Sequence, residues 1–126
     1  MGGKKFFPQH EVAMKQRSAC LHYVYAGQQN NVAIPVDEVI YFRADDANTT
    51  VVTGKGELRI RTPLYELLAM LDPEKFWQVH RSTVVNIARI ETVKREDQDH
   101  VVVRFKGRDE CITVGRPFCQ QFRRQE

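Results

Sequence analysis

Short alternations of apolar and polar residues run through most of this chain, and they predict strands rather than helices. Leu21 to Tyr25 alternates around β-forming residues, and Val32 to Ile34 returns after the polar turn Gly27–Asn31. Val39-Ile40-Tyr41-Phe42 is continuously apolar and reads as a core strand. Pro35 to Glu38, just before it, reads as a tight turn or a single helical turn. Thr49 to Thr53 is β-branched throughout. Glu57 to Arg61, with Leu58 and Ile60 on one face, pairs back across Gly54-Lys55-Gly56, where glycine admits the turn.

Helical spacing occurs once with force. Leu64, Leu67, Leu68 and Leu71 form an apolar stripe. Thr62 is the expected N-cap, Pro63 suits the first helical position and Asp72-Pro73 ends the run. Strands resume at Trp77–Val79, Ile87–Lys94, His100–Phe105 and Glu110–Val114, separated by an acidic turn (Glu96–Asp99) and the hairpin Lys106–Asp109. Gly115-Arg116-Pro117 breaks the last strand, and Phe118 and Phe122 suit a short final helix. Residues 1–19 follow neither period and read as a linker or tail, with residues 20–126 as one domain. Nine or ten strands with frequent turns and one or two short helices predict an all-β sandwich or barrel-like fold.

Composition narrows the class. Hydrophobic residues make up 42% of the 126, enough for a core, yet no run could span a membrane. Residues near the N-terminus lack the apolar stretch of a signal peptide. Cys20, Cys111 and Cys119 are odd in number and form no C-x-x-C, which suits a reducing cytoplasm, with Cys111 and Cys119 expected as buried packing residues. Net charge is +3, from nineteen basic and sixteen acidic residues. Four of the former and one of the latter lie in residues 1–20, which leaves fifteen of each beyond them. Bulk charge therefore makes no case for nucleic acid; a local basic face would have to.

The most informative stretch is Phe76-Trp77-Gln78-Val79-His80-Arg81-Ser82-Thr83-Val84-Val85-Asn86. Apolar anchors pin both ends of a polar tip, so the directions of His80 and Arg81 are set by the scaffold. His80 and Ser82 could belong to a small hydrolase, but no orienting acid or oxyanion donor accompanies them. His10, His22, His80 and His100 lack metal-ligand spacing, and no cofactor motif is present. An enzyme is not expected. Three loops have chemistry suited to DNA: Asp45–Thr50 with Asn48 and Thr49, the His80-Arg81 tip, and Arg116. Arginine can bond a guanine edge bidentately and can also bind phosphate.

The run "F-W-Q-V-H-R-S-T-V-V-N-I-A-R-I" resembles the signature of the LytTR DNA-binding domain, matching at Phe76, His80, Ser82, Val85, Asn86 and Ile90. The likeness extends from about Leu21 to Arg124. It implies an elongated β fold of about ten strands in small packed sheets. It also implies sequence-specific binding to double-stranded DNA in a transcriptional regulator. In that family, pairs of domains sit on direct repeats, loops enter successive major grooves, and a receiver domain, absent from this chain, usually precedes. By position the resemblance makes Thr49, Arg81 and Arg116 base-contacting candidates. Asn48, Thr50 and Lys55 become secondary, phosphate-directed candidates. His80 and Ser82 become signature residues expected mainly to support the tip. Gly115 stands where the family usually has serine, and Asp45 and Asp46 bring negative charge to the first loop. The alternative is a β-rich protein-interaction or sensory module without DNA activity.

Overall fold

The computed structural model of the protein describes residues 20–27 and 29–125; the tail expected over residues 1–19 lies outside them. Ten strands occur among the described residues: β1 (Tyr23–Ala26), β2 (Val32–Pro35), β3 (Val39–Asp45), β4 (Asn48–Thr53), β5 (Gly56–Ile60), β6 (Phe76–His80), β7 (Thr83–Asn86), β8 (Ile90–Asp97), β9 (His100–Phe105) and β10 (Cys111–Thr113). One α-helix, α1 (Leu64–Met70), joins β5 to β6. The strands make three antiparallel sheets: β1-β2, a central β5-β4-β3-β7-β6, and β10-β9-β8. The expected mainly β architecture of small packed sheets is what the chain adopts.

The central sheet carries a hydrophobic core on each face. Strand alternation sends Phe42, Val51, Ile60 and Val84 one way, onto α1 and the β1-β2 hairpin. Tyr41, Val52 and Val85 point the other way, against Val101, Val103 and Phe105 of the β8-β9-β10 sheet. The Tyr41 and Phe105 rings stack 5.3 Å apart across that junction. Asn86 is buried between the elements, donating from Nδ2 to Val39 O at 2.9 Å and accepting Ala88 N–H at 3.1 Å. This satisfies a polar group in the interior and closes the 3-10 turn Ile87–Arg89.

Three local expectations change. Thr62 does not cap α1: Pro63 holds the N-cap position without a side-chain bond, while Thr62 O accepts the Thr49 hydroxyl. The strand expected from Ile87 begins at Ile90, because the Asn86 side chain turns the backbone first. Cys111 is exposed, unlike the buried Cys119, since the short β10 turns it outward at the sheet edge. The final segment, Arg116–Gln125, is a 3-10 helix. Phe122 packs edge-on against Trp77 at 5.3 Å, and Arg95 donates to Cys119 O at 3.2 Å, so the segment is strapped to two sheets.

Candidate nucleic-acid interface

Antiparallel pairing gathers the chemically interesting loops at one end of the central sheet. β3 reaches its tip at Asp45, and β7 begins beside it at Thr83, paired with Arg43. The Ala44 N–H donates to Ser82 O at 2.8 Å, which ties the β3–β4 tip to the β6–β7 tip. The third loop joins them through Gly115, whose N–H donates to Val79 O at 2.6 Å. Asp46, Arg81 and Arg116 thus mark three adjacent tips, all exposed.

Each tip is shaped locally. The β3–β4 connection is only Asp46-Ala47, and Asp46 takes the left-handed φ of 57° that aspartate tolerates better than most residues. At the second tip, His80 Nδ1 lies 3.2 Å from the donating Ser82 N–H and 2.9 Å from Ser82 Oγ. In the neutral ring, a nitrogen that accepts an amide N–H carries no proton, which leaves Nε2 as the donor. His80 thereby bridges the turn through Ser82, and the residue remains exposed. At the third tip, a Cβ on residue 115 would stand 3.5 Å from His80 Cδ2 and 3.3 Å from Phe118. The missing side chain lets this loop lie against the second tip.

The structure brings Asn48, His80, Arg81 and Arg116 together and separates the remaining candidates. Thr49 is fully buried, with its hydroxyl donating to Thr62 O at 2.7 Å. Thr50 is also buried. In this structure both support the first tip rather than face solvent. Lys55 lies in the β4–β5 turn, at the opposite end of the hairpin. Strand rise puts it roughly 20 Å from Asn48, away from the three tips.

Charge around the tips is mixed. Asp45 does not project alone: Arg59 pairs with it at 2.7 Å. Arg43 pairs with Glu57 at 3.4 Å. Arg116 has a side chain 77% exposed and lies 3.9 Å from Asp99, in the β8–β9 turn. In the same turn His100 Nδ1 contacts Asp97 at 2.7 Å. That hydrogen bond and the attraction behind it raise the His100 pKa and lower that of Asp97. At the junction of the sheets, Tyr41 donates to Glu110 at 2.8 Å, and Arg108 grips the same carboxylate through two bonds. The Arg108 bonds lead in lowering the Glu110 pKa, whereas burial first, and then the Glu110 bond, raises that of Tyr41.

Arg43, Arg59 and Asp99 escaped the sequence reading. The alternation Glu57, Arg59, Arg61 opposite Leu58 and Ile60 was a usable signal for a polar strand face. The approach of Asp99 to Arg116 joins residues distant in sequence and left no such signal. Hydrolytic chemistry gains no support: among the described residues no carboxylate hydrogen-bonds His80, and its inner nitrogen is engaged in the turn. No group of three or more His, Cys, Asp or Glu converges as metal ligands among the described residues. No helix among them is long and apolar enough to cross a membrane.

Comparison with known proteins follows the same lines. The profile of the LytTr DNA-binding domain matches residues 29–125. An uncharacterised response regulatory protein of Vibrio cholerae is 43% identical over 67 residues, covering 50% of this chain and 26% of that protein. The positive alginate biosynthesis regulatory protein of Pseudomonas aeruginosa is 36% identical over 84 residues, covering 66% and 34%. A CO-responsive transcriptional regulator of Rhodospirillum rubrum is 32% identical over 78 residues, covering 62% and 33%. The chain thus spans about a quarter to a third of these curated relatives. A solved LytTr DNA-binding domain from Bacillus cereus superposes with a TM-score of 0.72. It has 21% identity and covers 82% of this chain and 95% of that one, a likeness of fold.

Proposed function

The chain belongs to the LytTR family of DNA-binding domains, and on that premise we propose that it reads double-stranded DNA sequence-specifically for a transcriptional regulator. The observation that carries this reading is the convergence of three tips, built by separate strand pairs and locked together through Ala44–Ser82 and Gly115–Val79. Arg81 and Arg116 are the base-reading groups, each exposed and backed by a rigid strand end. Asn48 is the polar group of the first tip, and the exposed edge of His80 adds a donor. Thr49 and Thr50 act by holding that tip, and Lys55 takes no part. Residues 20–126 form the DNA-binding unit, which acts in the cytoplasm without catalysis. The tips enter successive major grooves, and pairs of domains occupy direct repeats. That several relatives are response regulators or transcriptional regulators fits a signal-receiving domain elsewhere in the full protein.

Selection from a random DNA pool, followed by titration of variants, tests this. Arg81→Ala and Arg116→Ala should each weaken the selected site by about 1–3 kcal/mol and relax preference at different base pairs. Scrambled DNA should lose much less. The log-log salt slope should be roughly −3 to −5, since few cations surround the tips. Equal losses on both DNAs would make the two arginines phosphate clamps. Absence of any selected sequence would favour a protein-interaction module.

A further inference from the structure

The ribbon β3-β4-β5 carries cations that the three tips leave unexplained. Residues paired across a sheet share a face. The register Arg43↔Thr50↔Arg59 therefore sets two guanidinium side chains astride Thr50. Thr50, between them, is 7% exposed. Arg59 pairs with Asp45 and still leaves 64% of its side chain in solvent. The register Thr49↔Ile60 places Arg61 one step on, level with Asn48. Beside them opens a shallow concavity of about 470 Å³, lined by Gly27, Asn48, Leu58, Arg59 and Arg61.

We infer that Arg59 and Arg61 form a phosphate-binding site on the outer edge of the β3–β4 tip, taking a DNA backbone phosphate beside the groove that Asn48 faces. This rests on the DNA-binding reading above. Two guanidinium groups around a concave, open surface suit an anion with several acceptor oxygens, because each fork can offer parallel N–H donors. A base edge is a poorer fit, since the concavity lies on the flank of the tip rather than at its point. Asp45 draws Arg59 toward the tip and lowers the local positive charge. The site contributes affinity and register, and no sequence preference.

The test compares wild type with R59A/R61A and R59K/R61K on a selected site and on scrambled DNA, across a salt series. The alanine pair should lose about tenfold on both DNAs alike, with a salt slope shallower by about 1 to 2. The lysine pair should keep most of the slope, because charge survives while the fork is lost. A wild type that discriminates between the DNAs, with an alanine pair whose slope is unchanged, overturns this site and leaves the DNA reading standing. A loss confined to the selected site overturns it too, by making the pair base readers. If the wild type itself shows no salt-dependent DNA binding, the DNA reading fails and the site falls with it.

Discussion

Gly115 donates its N–H to the Val79 carbonyl over 2.6 Å, and this bond sets the third tip against the second. The contact depends on what residue 115 lacks. Its Cβ would meet Phe118 at 3.3 Å and His80 at 3.5 Å. Gly115→Ala needs only a small shift of the Phe118 ring. Gly115→Val places further carbons against both rings and should cost about 1–3 kcal/mol of stability. Thermal unfolding of the two variants measures the difference; equal, negligible losses would show the loop to be looser than described.

The His80–Ser82 pair should act on DNA binding more than on folding. Ser82→Ala removes an exposed hydroxyl bond to Nδ1 and should change stability by well under ~1 kcal/mol. Its effect on the selected DNA site should exceed that, since the tip that aims Arg81 is loosened. A titration alongside an unfolding curve separates the two. Loss in the unfolding curve alone would argue against a positioning role.

Asn86 offers the opposite case. Its side chain satisfies Val39 O and Ala88 N–H in the interior. Asn86→Ala should cost about 1–3 kcal/mol by orphaning both groups. DNA affinity of the folded fraction should stay nearly unchanged, because the residue lies at the far end of β7. Denaturant melts and a folding-corrected titration would show this, and a binding defect with an intact fold would refute it.

Stability should carry a small acidic-side feature from the β8–β9 turn. The His100 pKa is raised, so its contribution is complete below the unfolded value and fades as pH rises through the folded one. The Asp97 pKa is lowered, so its contribution is present above the unfolded value and fades as pH falls through the folded one. The pair is fully charged in the window between, near about pH 5, given ordinary values of ~3.9 and ~6.5. Wild type and His100→Ala should differ most there and converge in alkali. Both groups are exposed, so the difference should be slight and should shrink in salt.

Thiol labelling should separate the cysteines. Cys111 is exposed and should react readily in the native state, whereas Cys119 is buried and should wait for unfolding. Mass mapping of the labelled sites over a denaturant series distinguishes them. Native-state labelling of Cys119 at the rate of Cys111 would mean that the final 3-10 segment lifts away easily.

Much of this fold was legible because strand periodicity is a local signal. The Val39–Phe42 run, the β-branched Thr49–Thr53 and the Leu64–Leu71 stripe all appear where their patterns place them. Boundaries moved where a single side-chain bond outweighed pattern, as Asn86 does before β8. The β6–β7 tip was visible because its anchors and its polar residues are contiguous. The other contacts of the interface were harder to see. Asp45–Thr50 reads as a polar loop suited to DNA, but Thr49 and Thr50 belong to β4, which is paired on both sides, and both are buried. Lys55 is a candidate only through the family resemblance, and its place in the Gly54-Lys55-Gly56 turn sets it at the opposite end of the hairpin from the first tip. Arg59 against Asp45 and Arg116 against Asp99 depend on register and on sheet packing, which no single segment encodes.

Having a core on each face of the central sheet also affects the timing of motion. β3 and β7 lie between both cores and are hydrogen-bonded along both edges. Their amides can meet solvent deuterium only when two packed layers part together, an opening that costs close to the whole unfolding free energy. β1-β2 and β8-β9-β10 lie outside that double layer and can breathe separately. Two of the three tips hang from the part of the molecule that opens last, so their relative spacing should persist through fluctuations that expose the domain's flanks.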